Sequence, residues 1–432
     1  MNLANKVLLS LGLGILIGLA INVSGLGAVS WVDTYIVNGI FHVAGKLFFN
    51  ALQMLVVPLV LFSLIPGIVG IGDIRLLGKV GTKALALYIG TTAIAISVGI
   101  GLAAAAGIGS GLDIATDQTF EGKQAAKSTV EIIIGIVPKN IIAAMGNGEM
   151  LAIIFFAIFF GIALLIKQKE SAALISIIEQ LNKIFMQMVE MVMVFAPYAV
   201  FCLVGKAIAE LGIDLVIRLS GYFIIVMAAL LIHAFVTQML IFKVFTGLNV
   251  GMFIKKIRAA QIFAFSTSSS GATIPVTMRT MQERFGVDRA VSSFTVPFGA
   301  TINMDGTAIM QGVATVFIAN LYGIELGLAG YVTIVLTAVL ASIGTAAVPA
   351  VGLVMLTLVF EQVGLPIEAI GIIMGVDRIV DMTRTAVNVT GDAVVTSVVA
   401  KSEGKMDLAI YNDPDVGEVD ELELEDLATP DR

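Results

Sequence analysis

Residues Asp377, Asp381, Arg384, Asn388 and Asp392 follow one another at spacings of 4, 3, 4 and 4. At 3.6 residues per turn they fall within roughly an 80° arc of one helix. Ile379, Val380, Met382, Ala386, Val387 and Val389 take the other face. The stripe lies in an apolar stretch, 366–400, that reads as a membrane span. A charge at the centre of a bilayer costs at least ~2.5–3.5 kcal/mol, and ionisable groups at that depth mark substrate or ion paths. The stripe therefore needs a polar cavity or bound ions. The planar fork of Arg384 suits a carboxylate, and Asp381 can hold an ammonium. An arginine and an aspartate one turn apart fit a zwitterion with an extra carboxylate. Asn388 and Asp392 offer hard oxygen ligands to a small cation. Asp305 offers another, and Gly306 gives the backbone beside it freedom to unwind.

The rest of the chain explains where such a stripe sits. The protein has 432 residues, 58% hydrophobic and 13% charged, with a mean hydropathy of +1.00. An ordinary soluble domain has about 45–50% apolar and about 25% charged residues. Length alone suggests about three soluble domains at ~150 residues each, and the composition rejects that. The chain reads as an integral membrane protein, which excludes soluble enzymes, nucleic-acid binders and disordered scaffolds as the main reading. The single cysteine, Cys202, permits no intrachain disulfide and no cysteine-based metal cage. His42 and His233, the only histidines, are far apart and read as packed or interfacial side chains. The net charge of -7 comes from the last 20 residues, Asp413 to Arg432, which hold nine acidic residues and one basic residue. The preceding 412 residues carry a net +1. The acidic end reads as a solvated tail rather than part of the fold.

Apolar runs long enough to span a bilayer lie at roughly 7–27, 38–72, 80–108, 130–166, 173–209 and 214–246. Several exceed one upright helix, so tilt or breaks are expected. The first run reads as an uncleaved span, because Lys6 is its only early basic residue and no small-residue cleavage site ends it. Lys6, then Arg75, Lys79 and Lys83, then Lys167 and Lys169, then Lys243, Lys255, Lys256 and Arg258 fall in alternate loops. That alternation puts the N-terminus in the cytoplasm.

Beyond Arg258 the pattern changes. Ala260 to Pro275, with Ser266 to Ser270 at its centre, is too polar to face lipid, and arginines lie on both sides of it. It reads as a re-entrant hairpin from the inside. A span at 291–321 follows, interrupted at Asn303-Met304-Asp305-Gly306-Thr307. The stretch 328–361 has a small-residue tip, Gly344 to Gly352, and acidic flanks at Glu325, Glu361 and Glu368. It reads as a second hairpin, entering from outside. The last span ends at Lys401 and Lys405, so the C-terminus is also cytoplasmic. Pro275 to Asp305 is 30 residues and Pro349 to Asp381 is 32, a weak inverted repeat. The expected fold is all-α and polytopic, with eight spans and two re-entrant hairpins. Paired broken segments of this kind point to a transporter's binding site at the midplane, where irregular backbone must be buried or line a wet cavity. The serine tip could simply pack helices closely. In a re-entrant loop beside Gly271 and Pro275, backbone N–H groups that hold a carboxylate are the favoured reading. The second tip reads as a movable lid.

At these residues the chain resembles the glutamate transporter family, the dicarboxylate/amino acid:cation symporters that include the animal excitatory amino acid transporters. The resemblance covers roughly 5–403 and rests on four ordered motifs. These are Ser268 to Pro275, Asn303 to Thr307, Gly344 to Gly352, and Asp381 to Asp392. It implies a homotrimer; the short loops, with no long glycosylated external loop among them, point to the inner membrane of a bacterium. A static scaffold, residues 1–78 and 113–212, would carry spans 1, 2, 4 and 5. A transport domain, residues 79–112 and 213–403, would move like an elevator, and 404–432 would be an acidic cytoplasmic tail.

Matching motif by motif, the resemblance implies that Arg384 binds the substrate side-chain carboxylate, helped by Thr307 and the Gly352 backbone. Asp381 and the Thr385 hydroxyl would bind the amino group, with backbone carbonyls near Ser268 and Val348. Asn388 and Ser270, next to Ser269, would bind the α-carboxylate. Three sodium sets carry over. The first is Gly299, Asn303, Asn388 and Asp392; the second is Thr301, Met304, Ser342, Ile343 and Thr345. The third is Tyr88, Thr91, Thr92, Asn303 and Asp305. Animal members carry a proton on a glutamate of span 7, where this chain has Gln311, which does not titrate.

The expected function is therefore sodium-coupled symport of L-aspartate or L-glutamate, with sodium as co-transported ion and no enzymatic activity. The alternative is a proton-coupled glutamate/aspartate or C4-dicarboxylate symporter of the same fold. Family members for C4-dicarboxylates lack the aspartate matching Asp381, and neutral amino acid members lack the arginine matching Arg384. A serine hydrolase built on 266–270 would need a base within reach, and no histidine or lysine is recognisably placed for it.

Overall fold

The computed structural model describes residues 3–26, 29–69, 77–110, 134–147, 149–343 and 351–414. The described chain is helical. Its one extended pairing is an isolated antiparallel bridge between Val287 and Met406. Helix here is the way in which an apolar chain satisfies its own backbone where water is absent. Lys79–Ala106 and Ile213–Thr246, 28 and 34 residues long, have the length and composition to cross a membrane. Shorter apolar helices include Met150–Ile166 and Gly327–Ile343. Large apolar side chains such as Leu16, Leu47, Phe159, Ile217, Ile224 and Leu240 are exposed. A soluble monomer seldom shows so much apolar surface, and lipid is its natural cover.

Two sets of packing run through the molecule. Leu3–Val23 lies on Ala196–Leu211, and His42–Val69 lies on Met150–Ile166 and Ala172–Met193. Separately, Thr82–Ala106 packs on Asp305–Leu321. Asp377–Ser402 is surrounded by Val250–Thr267, Arg289–Ile302, Asp305–Leu321 and Gln238–Thr246. This last helix is buried along its polar stripe and over part of its apolar face, where Val380, Val387 and Val389 are buried and Ile379, Met382 and Ala386 half-buried.

Two helix breaks among the described residues define the interior. Val250–Thr267 starts at Asn249, whose side chain accepts from the N–H groups of Gly251 and Met252. It stops at Ser268, the one non-glycine residue with positive φ (53°) among those described. A left-handed conformation costs an L-residue about 1–2 kcal/mol, so this strained turn sits at the tip of the first expected hairpin. Ser269 then caps the returning helix, Ser270–Arg279, by accepting from the Ala272 N–H at 3.2 Å. The interruption expected in the 291–321 span is present: Arg289–Ile302 ends, Asn303 and Met304 are non-helical, and Asp305–Leu321 begins. Gly327–Ile343 and Val351–Val363 flank the expected second tip, whose residues 344–350, with Thr345 and Val348, lie outside the described residues. The tail beyond residue 414 lies outside them too. Several helices also change their winding: π-helical segments lie at Val32–Phe41, Leu77–Gly81, Thr280–Arg284 and His233–Thr237, the last of which joins Ile213–Ile232 to Gln238–Thr246.

Candidate functional site

The break at Asn303–Met304 brings a helix N-terminus against the polar stripe of the last helix. The Gly306 N–H, unpaired within its own first turn, donates to Asn388 Oδ1 at 2.7 Å. The Asn388 amide nitrogen lies 3.3 Å from Met304 Sδ. The contact is close because residue 306 has no side chain: a Cβ there would fall 2.6 Å from the carbonyl oxygen of Arg384. Gly352, next to the second tip, approaches the same arginine from another side. A Cβ there would lie 2.7 Å from Arg384 Cζ. Arg384 is thus approached closely at two places, its backbone and Cβ by Gly306 and its guanidinium by Gly352, and glycine at both positions is what leaves it room.

Arg384 is buried and fully engaged. Its Nε donates to Asp381 Oδ1 at 2.9 Å, and its Nη2 lies 2.7 Å from the same oxygen. Nη1 donates to Asp377 Oδ1 at 3.2 Å. Arg378 stands 3.8 Å from the second oxygen of Asp381. A buried charge needs such partners, and i, i+3 and i+7 spacing on one helix supplies them. The sequence placed Asp377 in the stripe without a role; here it is the second carboxylate on the arginine.

The other expected substrate residues lie around this pair. The Thr385 hydroxyl donates to the Asp381 carbonyl at 2.7 Å. Thr307 Oγ1 lies 3.9 Å from Met304 Sδ. Ser268 and Ser270 are buried, and Ser268 Oγ has no partner among the described residues. The first hairpin is pinned to the last helix by a bond from Gln261 Nε2 to Thr390 Oγ1 at 2.9 Å. Gln311 Nε2 reaches the Gly352 carbonyl at 3.5 Å.

Oxygen atoms collect just below. Asn303 Nδ2 donates to Asp392 Oδ1 at 2.9 Å and to the Asn388 carbonyl at 3.2 Å, and Asn303 Oδ1 is buried without a partner among the described residues. Gly299 faces Asp392 and the Tyr88 hydroxyl, which a Cβ there would meet at 2.4 and 2.5 Å. The structure therefore brings Gly299, Asn303, Asn388 and Asp392 together. Thr92 Oγ1 donates to Asp305 Oδ1 at 2.7 Å, Thr91 Oγ1 to the Tyr88 carbonyl at 3.1 Å, and the Tyr88 hydroxyl to the Thr295 carbonyl at 3.0 Å. An orphaned amide oxygen beside two buried carboxylates fits a hard cation. The remaining set is looser: Ser342 Oγ donates to the Ile302 carbonyl at 3.2 Å, and Thr301 Oγ1 donates to the Phe298 carbonyl at 2.9 Å. Ile343 is the last described residue of Gly327–Ile343.

Two residues were not anticipated here. His233, expected as a packed or interfacial side chain, is fully buried with its Nε2 3.0 Å from Asp305 Oδ2, and Gln238 Nε2 donates to the same oxygen at 3.2 Å. The available signal was a titratable residue inside an apolar span.

The comparisons agree with this architecture. The model of the sodium:dicarboxylate symporter family matches residues 3–402. The chain is 35% identical over 417 residues to the proton/glutamate-aspartate symporter of Escherichia coli K12, covering 94% of each. It is 34% identical to the proton/sodium-glutamate symport protein of Geobacillus stearothermophilus, covering 84% of this chain and 87% of that one. It is also 34% identical to an excitatory amino acid transporter of Caenorhabditis elegans, covering 82% and 80%. The helical fold, the buried carrier-type site and these matches define a membrane transporter. The chain belongs to the sodium:dicarboxylate symporter family.

Proposed function

We propose that this protein is a sodium-coupled symporter of acidic amino acids, L-aspartate or L-glutamate. The observation that carries the reading is the buried Arg384 held by Asp381 and Asp377. The two carboxylates mark the places of the substrate's own groups. An incoming side-chain carboxylate takes the guanidinium fork, with Thr307 and the Gly352 backbone beside it. Asp381 is then free to receive the ammonium, with Thr385, Ser268 and the backbone near Val348. Asn388 and Ser270, next to Ser269, take the α-carboxylate. In this exchange the arginine always has a partner, which matters because an unpaired buried charge costs several kcal/mol, on the order of 3–5.

Sodium travels as cargo on the oxygen sets. Asn303, Asn388, Asp392 and Gly299 form one site; Tyr88, Thr91, Thr92, Asn303 and Asp305 form another. Thr301, Met304, Ser342, Ile343 and Thr345 form the third. Transport proceeds by an elevator motion in a homotrimer with eight spans and two re-entrant hairpins. Residues 1–78 and 113–212 form the scaffold, and 79–112 and 213–403 the moving domain. The separate packing of Leu3–Val23 with Ala196–Leu211 and of Thr82–Ala106 with Asp305–Leu321 supports that division. Both termini are cytoplasmic and the membrane is a bacterial inner membrane.

A specific observation favours a second reading, proton coupling: the Escherichia coli relative is named as a proton symporter. Against it stands Gln311 at the span-7 position that carries a proton in animal members. A C4-dicarboxylate substrate, as named for a 30% identical Bacillus subtilis relative, leaves Asp381 without an ammonium to bind. Arg384→Cys tests the site: we expect aspartate uptake to disappear and neutral amino acids to be admitted. Unchanged aspartate uptake contradicts the assignment.

A further inference from the structure

Asp305 Oδ2 is held from one place on the sixth span, by His233 and Gln238, at 3.0 and 3.2 Å. These residues are five positions apart. On a straight α-helix, residues i and i+5 point about 140° apart at 3.6 residues per turn and do not reach one atom. The span changes its winding at this point. His233–Thr237 is a π-turn, and the backbone N–H of Gln238 donates to the carbonyl of His233. That i→i+5 bond brings the two side chains to the same face one turn apart. The segment His233 to Gln238 contains no glycine or proline to cause such a turn. π-turns of this sort concentrate at functional sites.

The hydrogen-bond inventory of Asp305 then becomes specific. A carboxylate offers about four lone-pair sites, two on each oxygen. His233 Nδ1 is buried with no partner among the described residues. The ring proton therefore sits on Nε2, where the carboxylate accepts it; the other tautomer would bury a bare N–H and set two acceptors face to face. Oδ2 is filled by two donors. Oδ1 accepts one, from Thr92, and keeps a site open among the described residues. The cluster closes around Gly391, where a Cβ would fall 2.6 Å from Asn303 Nδ2, 2.8 Å from Gln238 Nε2 and 3.2 Å from Asp305 Oδ2.

We infer that His233 and Gln238 are positioning residues for the cation carried at Asp305. By filling Oδ2 they leave Oδ1, the oxygen shared with Thr92, as the ligand, in a fixed plane. The inference rests on the sodium reading above and adds two residues outside its ligand sets. Hydrogen-bonded partners of metal ligands are worth about 10–100-fold in metal affinity.

The test is calorimetric titration of L-aspartate into detergent-purified wild type, H233L, H233Q and Q238L across a series of sodium concentrations. H233L is expected to raise the sodium concentration for half-maximal binding by about 10–100-fold, a loss that high sodium overcomes. H233Q, whose amide restores a donor near Nε2, is expected to recover most of it. Q238L is expected to shift the same dependence in the same direction, and it keeps the test open should H233L fail to fold. A folded H233L or Q238L with the sodium dependence of wild type overturns the inference alone, as does an H233Q as impaired as H233L. A wild type whose binding ignores sodium overturns the sodium reading, and this inference with it.

Discussion

Arg384 is held by paired charges and by close packing together. Asp381 and Asp377 fix its three nitrogens, and Gly306 and Gly352 leave the space that it fills. Gly352→Ala is therefore a stringent substitution. Its methyl group would sit 2.7 Å from Cζ, and the guanidinium could move away only by releasing a carboxylate. One charge-assisted hydrogen bond is worth about 1.5–3 kcal/mol, so we expect G352A to lower the unfolding free energy of the substrate-free protein by about that much and, by shifting the guanidinium, to weaken aspartate binding. Calorimetric titration beside a melting curve reads both quantities. Equal affinity in G352A and wild type would show that the guanidinium is not confined there. The types and the face of the stripe residues were legible in the sequence, because helical spacing fixes a face. The pairing of Arg384 with Asp377 was not, since spacing does not say which neighbours a fork selects.

Helix interruptions do most of the positioning. The breaks at Ser268–Ser269 and Asn303–Met304 were legible, because runs of small polar residues beside glycine disrupt an otherwise apolar period. The π-turn at His233 was not, because an i→i+5 bond leaves no trace in composition. The segment Leu408–Asn412 adds a clasp that the sequence, read as tail from residue 404, did not reveal. Tyr411 is buried among Phe242, Phe253 and Phe285, and its hydroxyl donates to the Asn249 carbonyl at 2.7 Å. Lys256 Nζ donates to the Arg284 and Ile410 carbonyls at 2.6 and 2.8 Å. Burial, and then the Arg284 charge, lower the Lys256 ammonium from its ordinary value. Truncating a buried aromatic costs about 3–5 kcal/mol, so Tyr411→Ala should lower the unfolding free energy by about that much and Tyr411→Phe by about 1 kcal/mol. Equal melting of Y411A and wild type would mean that the clasp does not contribute. A second tie joins the start of span 3 to the end of span 8, where Lys83 hydrogen-bonds Glu403. The hydrogen bond from Lys83 and its charge hold the Glu403 carboxyl below its ordinary value. The folded state thus gains from the ionised form above the ordinary carboxylate range, near about 4.3, and loses that gain on acidification through the lowered value. The melting difference between wild type and E403Q should shrink as pH falls through that window; a difference that grows would refute the tie.

At the scale of the whole molecule, exposed apolar side chains such as Leu16, Phe159, Ile224 and Leu240 lie on the outside while the polar site is buried within. Membrane residence was legible from composition alone, since so little charge cannot cover a water-facing surface. Trimer assembly and the elevator motion were carried only by resemblance, because neither leaves a pattern in one chain. The central claim is that an acidic amino acid and sodium move together through this site. Uptake of labelled L-aspartate into proteoliposomes tests it most directly. An inward sodium gradient is compared with an inward proton gradient, with excess L-glutamate, succinate or L-serine as competitor. The account predicts sodium-driven uptake that glutamate suppresses and serine does not. Uptake driven by the proton gradient alone, with no response to sodium, would contradict it.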